Sequence, residues 1–399
     1  MAVLYTNPKG EGVTRHSYSS GSTWAKCKRL YFHEKISGWR RKDKSAAMNF
    51  GKAVEDAIQY YHVNGLKPDT AADEFRRIWI LSKENAELVY TAKEKDWANL
   101  RDCGVQLLKL YEILLPTFPI KDPVWQASYA KEVFPGSSLA GLEAGGFVDL
   151  ISRAPWVHAM LPKVDIPKDS PYRPVVVDIK TAGLELSIST AMLALDQQLQ
   201  VYAWLSGIPD VAFLWLTKGI ASAFSKGTEV TFLEPYGKWK AGDRAVILEH
   251  DSEAQTAIVG SEADTVTILA ELSEIKGKGS TAAKDAVIQR HKDEGKLSEV
   301  STEFLTKLKI QFLAVRISPE DIKEAGEVVG RQIAEIHQAN ETGFYPKSGG
   351  VRFPNNICVY CSHRGLCIKD ERLVDELLVR ISPTAKEEDW LDDIGGDEE

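Results

Sequence analysis

Residues 175–180 read Val175-Val176-Val177-Asp178-Ile179-Lys180. β-Branched side chains dominate the stretch and Pro174 precedes it, which marks a strand. Side chains alternate along a strand, so Val175, Val177 and Ile179 share one face while Val176, Asp178 and Lys180 share the other. An acid and an ammonium therefore project together from an otherwise apolar element. Burying either charge without a partner is costly. The pair is thus either a plain structural ion pair or part of a site that handles a metal or a phosphate. The strand alone leaves both readings open.

Two neighbours bear on that choice. A second expected strand, 146–152, carries Gly146-Phe147-Val148-Asp149, again a lone acid in an apolar run. Phe50, Val54, Ile58 and Tyr61 recur at helical spacing and predict an amphipathic helix over 45–61. Glu55 lies in it, one turn after Gly51. Three carboxylates from separate elements, brought together, make a hard oxygen site for Mg²⁺ or Mn²⁺. Lys180 beside them would orient an attacking water or stabilise charge on a phosphate.

Around these residues the pattern predicts further helix over 71–115, in one piece or two, and strands at 126–134, 146–152 and 174–180. A helix over 187–206, closed by Gly207, and a buried strand over 211–217 follow. Helix, three strands, helix, strand defines an α/β domain around one mixed sheet. The expected segments are a basic N-terminal region (1–44), a helical region (45–125), the core (126–250), a helical insertion (251–317), a C-terminal helix with a three-cysteine run (318–375) and an acidic tail (376–399). Ser318-Pro319-Glu320-Asp321 starts that C-terminal helix with a cap, a proline at the first position and acids in the first turn.

In this order Gly146-Phe147-Val148-Asp149, Val177-Asp178-Ile179-Lys180 and Gln198-Leu199-Gln200-Val201-Tyr202 resemble the successive motifs of PD-(D/E)xK nucleases of the RecB type. The resemblance implies a restriction-endonuclease-like core, a central mixed β-sheet flanked by helices. It also implies metal binding by Asp149, Asp178 and the carbonyl of Ile179. Gln198 and Tyr202, four residues apart on one helix face, would line the site and the DNA path. The chain departs from the family at the first helix, where the usual GxxxH is Gly51-Lys52-Ala53-Val54-Glu55. A carboxylate ligates a hard metal at least as well as imidazole, so Glu55 is expected in that position, with metal preference and number left open.

Four of the five cysteines form a pattern, Cys27 followed far downstream by Cys358, Cys361 and Cys367. In an intracellular chain such spacing favours a metal or cluster over disulfides. A [4Fe-4S] cluster and structural zinc suit it equally, with His363 as a further zinc candidate. Tyr18-Ser19-Ser20 with Trp24-Ala25-Lys26-Cys27-Lys28-Arg29-Leu30-Tyr31, and Gly343-Phe344-Tyr345-Pro346 ahead of the three-cysteine run, resemble the flanking motifs of iron–sulfur RecB-type nucleases. Those include the CRISPR-associated exonuclease family, AddB-type subunits and phage-encoded relatives. The resemblance implies a [4Fe-4S] cluster pinning the two ends together, with zinc as the alternative. Cys103, at helical spacing with Leu100 and Leu107, reads as a core thiol.

The formal net charge of −8 speaks against a nucleic-acid partner only until its distribution is considered. Residues 387–399 hold eight acids and no base, while residues 1–44 hold ten Lys or Arg against three acids. Lys28, Arg29, Arg40, Arg41 and Lys42 interleave with Trp24, Tyr31, Phe32 and Trp39, a mixture suited to phosphates and base faces of a single strand. The tail, with Trp390, Leu391 and Ile394, is a solvated segment or a docking element for a recombination or replication protein. No run of about 18 apolar residues predicts a membrane span, and residues 1–12 lack the apolar centre of a secretory signal. The expected location is the cytoplasm, that of the host for a phage-encoded chain. No phosphate-binding GxxxxGK[ST] loop occurs, so a helicase partner would supply any unwinding.

These expectations add up to a Mg²⁺- or Mn²⁺-dependent deoxyribonuclease, an exonuclease on single strands or DNA ends in recombination, repair or replication. One alternative is a catalytically inactive DNA-binding or scaffolding subunit of a nuclease or replication complex. Another is a structural-zinc regulatory protein whose acids form ordinary ion pairs.

Overall fold

The computed structural model describes residues 4–6, 12–64, 70–85, 88–91, 96–134, 141–161, 173–183, 186, 190–218, 224–277, 280–347, 350–352 and 356–381. A seven-stranded mixed sheet forms the centre of the fold, its middle strands Pro174–Ala182 and Asp210–Thr217 buried over continuous runs. Its members are β1 (Leu4–Thr6), β2 (Gly12–Ser17), β3 (Lys121–Glu132), β4 (Glu143–Arg153), β5 (Pro174–Ala182), β6 (Asp210–Thr217) and β7 (Lys309–Arg316). The order is β1-β2-β4-β5-β6-β7, with β3 on the other edge of β4. The β2–β4 and β5–β6 pairs are parallel and the rest antiparallel.

Helices cover both faces, as the expected α/β class requires. On one face α2 (Ala46–Val63), α3 (Ala71–Asn85) and α4 (Trp97–Leu114) bury Phe50, Val54, Phe75, Trp79 and Leu107 in the same core as Val175, Val177 and Ile179. On the other, α5 (Gln197–Ser206) packs Leu199 and Tyr202 with Val148, Val176 and Phe213. A long helix, α6 (Pro319–Thr342), lies on α5 through Ile333 against Val201 and Leu205. The 71–115 stretch is two helices. The predicted 187–206 helix starts ten residues late as α-helix, at Gln197, because Asp196 caps it by accepting from the Leu199 amide at 3.0 Å. Residues 190–195 form a 3₁₀ turn instead, and residues 187–189 lie outside the described ones. Gly207, in the left-handed region at φ 73°, closes α5 as its sequence position suggests.

The helical insertion expected over 251–317 is corrected by the structure. A five-stranded antiparallel sheet forms from Glu229–Phe232, Arg244–Asp251, Thr256–Gly260, Leu297–Ser301 and Leu305–Thr306. The helices Glu262–Glu274 and Ser280–Asp293 fall between its third and fourth strands in the chain. Ala245, Ile247, Ala257, Val259 and Val300 fill its core. Short strands with one buried residue in two, separated by charged turns, give a weak pattern that the surrounding Lys and Glu conceal. The core boundaries of 126–250 shift accordingly. The central sheet takes β1 and β2 from the basic region and β7 from beyond residue 300, while 229–251 contributes to the second sheet.

A short helix, Arg364–Ile368, and the strand Leu378–Arg380 end the described C-terminal segment. That strand pairs antiparallel with Trp39–Arg41, Val379 opposite Arg40. The chain's two ends are therefore joined by backbone hydrogen bonds. The acidic residues 387–399 lie outside the described residues.

Candidate active site

One edge of β4 is shared by two strands. β2 pairs with its start, Ser17 opposite Gly145, and β5 with its end, Leu150 opposite Val177. Between Gly145 and Leu150 that edge has no register partner, and Asp149 stands at the margin of the gap. Its Oδ2 accepts from the Ile179 amide at 3.3 Å, in place of a ladder carbonyl. Backbone groups left open at a splayed pair must be satisfied somewhere, and here a carboxylate does it.

Asp178 is completely buried on the α5 side of β5. Lys180 Nζ donates to its Oδ1 at 3.0 Å and lies 2.8 Å from Oδ2. Gln198 Nε2 donates to Asp178 Oδ1 at 3.1 Å and sits 2.7 Å from the Tyr202 hydroxyl. Asp178 Oδ2 is buried and has no well-aligned hydrogen-bond donor. Burial first, and then the Asp149 carboxyl within hydrogen-bond reach, push the Asp178 pKa well above the usual carboxylate range, against the opposing effect of Lys180. For Lys180, burial acts to lower the pKa, but Asp178, Asp149 and Asp196 raise it on balance, so the ammonium stays charged. Burial, followed by Asp149 and Asp178, also raises the Tyr202 pKa, so its hydroxyl keeps its proton.

Glu55 comes from α2 on the opposite side of the sheet. Gly51 permits the approach, since a Cβ there would lie 3.1 Å from Thr181 Oγ1 on β5. Burial and then Asp149 raise the Glu55 pKa to about 7. Gln126 Nε2 donates to Glu55 Oε1. The sequence marks Gln126 only as the start of a strand. It sits at φ 48° beside a register shift in β3 between Lys121 and Val124. A non-glycine residue at positive φ within a strand re-aims its side chain. No sequence rule announces that conformation.

The structure thus brings Glu55, Asp149, Asp178, Lys180, Gln198 and Tyr202 into one electrostatic neighbourhood, with Ile179 as an amide donor. Among the described residues no three His, Cys, Asp or Glu side chains are gathered at single-ion spacing. The donor chemistry nonetheless suits a hard cation. The carboxyls crowd one another, and two of them are driven toward the protonated state by that crowding and by burial.

None of the cysteines, all of them described, is in a disulfide. Cys27, at the end of α1 (Tyr18–Lys26), and Cys358, Cys361 and Cys367 come within electrostatic range of one another. Burial raises the Cys361 and Cys367 thiols first, and the other thiols add to it. Four soft sulfurs converging from both chain ends suit a cluster. His33 Nε2 lies 3.6 Å from Cys367 Sγ, a neighbour the cysteine spacing gives no hint of. His363 is turned elsewhere, its Nε2 3.3 Å from the Trp39 carbonyl and its Nδ1 3.7 Å from Glu34. Cys103 is wholly buried in the α4 core, as its spacing suggests.

The five cations expected on DNA each have an intrachain contact. Lys28 pairs with Glu335 at 2.6 Å and Arg41 with Asp43 at 2.6 Å. Arg40 donates to the Glu34 and Trp39 carbonyls, Lys42 to the Asp375 carbonyl, and the Arg29 guanidinium lies over Phe32 at 5.8 Å. Lys28 and Lys42 reach the C-terminal part of the chain, whereas these contacts of Arg29, Arg40 and Arg41 stay within the N-terminal segment.

No protein-family model matches this chain, and no curated protein does. A solved structure described as "Crystal structure of SSO0001" aligns with 45% of this chain and 63% of its own length, at 14% identity and a TM-score of 0.18. A likeness that shallow carries no argument. No helix among the described residues is long and apolar enough to cross a membrane.

Proposed function

We propose that the chain is a Mg²⁺- or Mn²⁺-dependent deoxyribonuclease acting through Glu55, Asp149, Asp178 and Lys180. The observation that carries the reading is the convergence at the β4–β5 gap. Residues more than a hundred positions apart in sequence meet there, with an acid and a lysine on one strand and a Gln–Tyr pair on the helix above. A folded chain has no stability reason to collect carboxyls that raise each other's pKa.

A divalent ion held by Glu55, Asp149, Asp178 and the Ile179 carbonyl would polarise a phosphate and lower the pKa of a bound water. Asp178 holds Lys180 in place, and the Lys180 ammonium stabilises negative charge developing on the phosphate. Gln198 and the protonated Tyr202 offer neutral donors to substrate oxygens. Glu55, its pKa raised to about 7, gives up its proton when it takes its place as a ligand. On the same reading Cys27, Cys358, Cys361 and Cys367 hold a [4Fe-4S] cluster that cross-links the chain ends.

Single-turnover cleavage of a labelled oligonucleotide by Lys180→Ala tests it. DNA binding is expected to persist while the cleavage rate falls by about 10²–10³-fold, the cost of losing one charge-stabilising group. Unchanged cleavage by the variant would remove Lys180 from the mechanism.

A further inference from the structure

Between α1, α5 and α6 lies a cavity of about 270 Å³ in which the acid–lysine pair takes no part. Its floor is the β2–β4 junction, where His16 pairs with Ala144 and Ser17 with Gly145. His16 is only 5% exposed, and its Nε2 is buried with no hydrogen-bond partner. Burial, with His337 adding to it, pushes the His16 pKa down to about 4, so the ring is neutral at physiological pH. Water does not reach that nitrogen, so His16 serves the cavity as a wall and offers it no hydrogen bond.

The groups that do face the cavity lie elsewhere in its lining. Val201, Leu205 and Ile333 make apolar walls, while Gln197, Gln200 and Gln332 add amides that can both donate and accept. Asp321 and Glu324 are present and no lysine or arginine is, a setting hostile to phosphate. The volume equals about nine liquid waters, room for one small heteroaromatic ring system. The cavity also adjoins the candidate active site. Gly145 at its floor and Asp149 lie on the same strand, four residues or about 13 Å apart, the reach of roughly four stacked nucleotides. Tyr18 lines the cavity, and its hydroxyl feels Asp196, Lys180 and Asp178.

We infer that this cavity binds a nucleobase of the strand being cleaved, close to the scissile bond. The inference rests on the nuclease reading and adds to it a recognition subsite. The base's edge would pair with the glutamine amides, and its faces would meet the apolar walls and Tyr18.

The test uses full-length protein with EDTA, so that DNA is bound but not cut. Single-stranded oligonucleotides carry 2-aminopurine at successive positions, and free deoxyadenosine and thymidine are titrated separately by saturation-transfer NMR. Ser22→Trp and Ala25→Trp plug the mouth from exposed helix positions that leave the core untouched, and their melting temperatures report folding. One probe position, within about four nucleotides of the bond cut when metal is restored, should change its fluorescence. The plugged variants should lose that change, fail to bind nucleoside and bind the oligonucleotide about tenfold more weakly. DNA cleaved by wild type with uniform probe signals and no nucleoside binding overturns the subsite and leaves the nuclease reading standing. Nucleoside binding lost on plugging, without cleavage under any condition, upholds the cavity and removes the nuclease reading. Folded plugged variants that behave like wild type in both assays also overturn the subsite.

Discussion

Asp149 Oδ2 accepts the Ile179 amide at 3.3 Å where β4 and β5 cease to pair. The side chain thereby fixes how far the strands open, and it does so while its carboxyl lies within hydrogen-bond reach of Asp178. Structure and chemistry are thus coupled in one residue. Asp149→Ala is expected to loosen the β4–β5 junction as well as the site, whereas Asp149→Asn keeps an acceptor for the amide. In thermal melts the alanine variant should lie below the asparagine one, by about 1–2 kcal/mol for the unsatisfied amide.

Asp178 is held in a state its charge disfavours. Its folded pKa is raised above the unfolded value, so the folded protein binds the extra proton. Stability from this group is therefore greatest at low pH and is lost as pH rises from the ordinary carboxylate range through the raised folded value. Asp178→Asn removes that penalty. Without divalent metal its melting temperature should fall less than that of wild type between pH 5 and pH 8, while DNA cleavage is lost.

Glu55 titrates at about 7. Because the raised pKa favours the neutral acid, a metal must displace a proton at any lower pH. The Mn²⁺ concentration giving half-maximal cleavage should fall by about tenfold between pH 6 and pH 8. A metal requirement independent of pH would take Glu55 out of the ligand set.

Gln126 donates to the Glu55 carboxylate and so favours its charged form. Gln126→Leu should move the pH of half-maximal metal binding upward by as much as about one unit, and Gln126→Asn should restore part of it. An unaltered pH profile would make the contact merely structural.

Protein purified without oxygen should carry iron and sulfide and absorb visible light. Cys361→Ser should abolish both signals, whereas Cys103→Ser, in the wholly buried α4 core, should leave them intact. Because Trp39–Arg41 and Leu378–Arg380 join the ends directly, the cluster-free variant should lose thermal stability without losing the central sheet, as read by circular dichroism. A colourless, zinc-loaded wild type would replace the cluster with a structural zinc site.

Much of this was legible in the sequence because buried charge breaks an apolar period. Asp178 and Lys180 stand out among valines, and the spacing of Gln198 and Tyr202 puts both on one face of a short, well-capped helix. What stayed hidden depends on geometry that no spacing encodes. The gap in the β4 edge arises from two strands sharing one partner. Gln126 reaches Glu55 from a strand position at positive φ, and His33 meets Cys367 across 334 positions of sequence. The second sheet was missed because its strands are short and sit among charged residues. The basic N-terminal cluster was legible as charge but not as partners, since each of its five cations finds an acid, a carbonyl or a ring within the fold.

The most direct measurement is degradation of end-labelled single- and double-stranded DNA with Mg²⁺ or Mn²⁺ by cluster-loaded wild type, beside Asp178→Asn shown to be folded by circular dichroism. Metal-dependent cleavage by wild type that disappears in the folded variant is the expected result, and the label position gives the polarity. Wild type that leaves every substrate intact, or a variant that cuts as fast as wild type, would contradict a nuclease built on Asp149, Asp178 and Lys180.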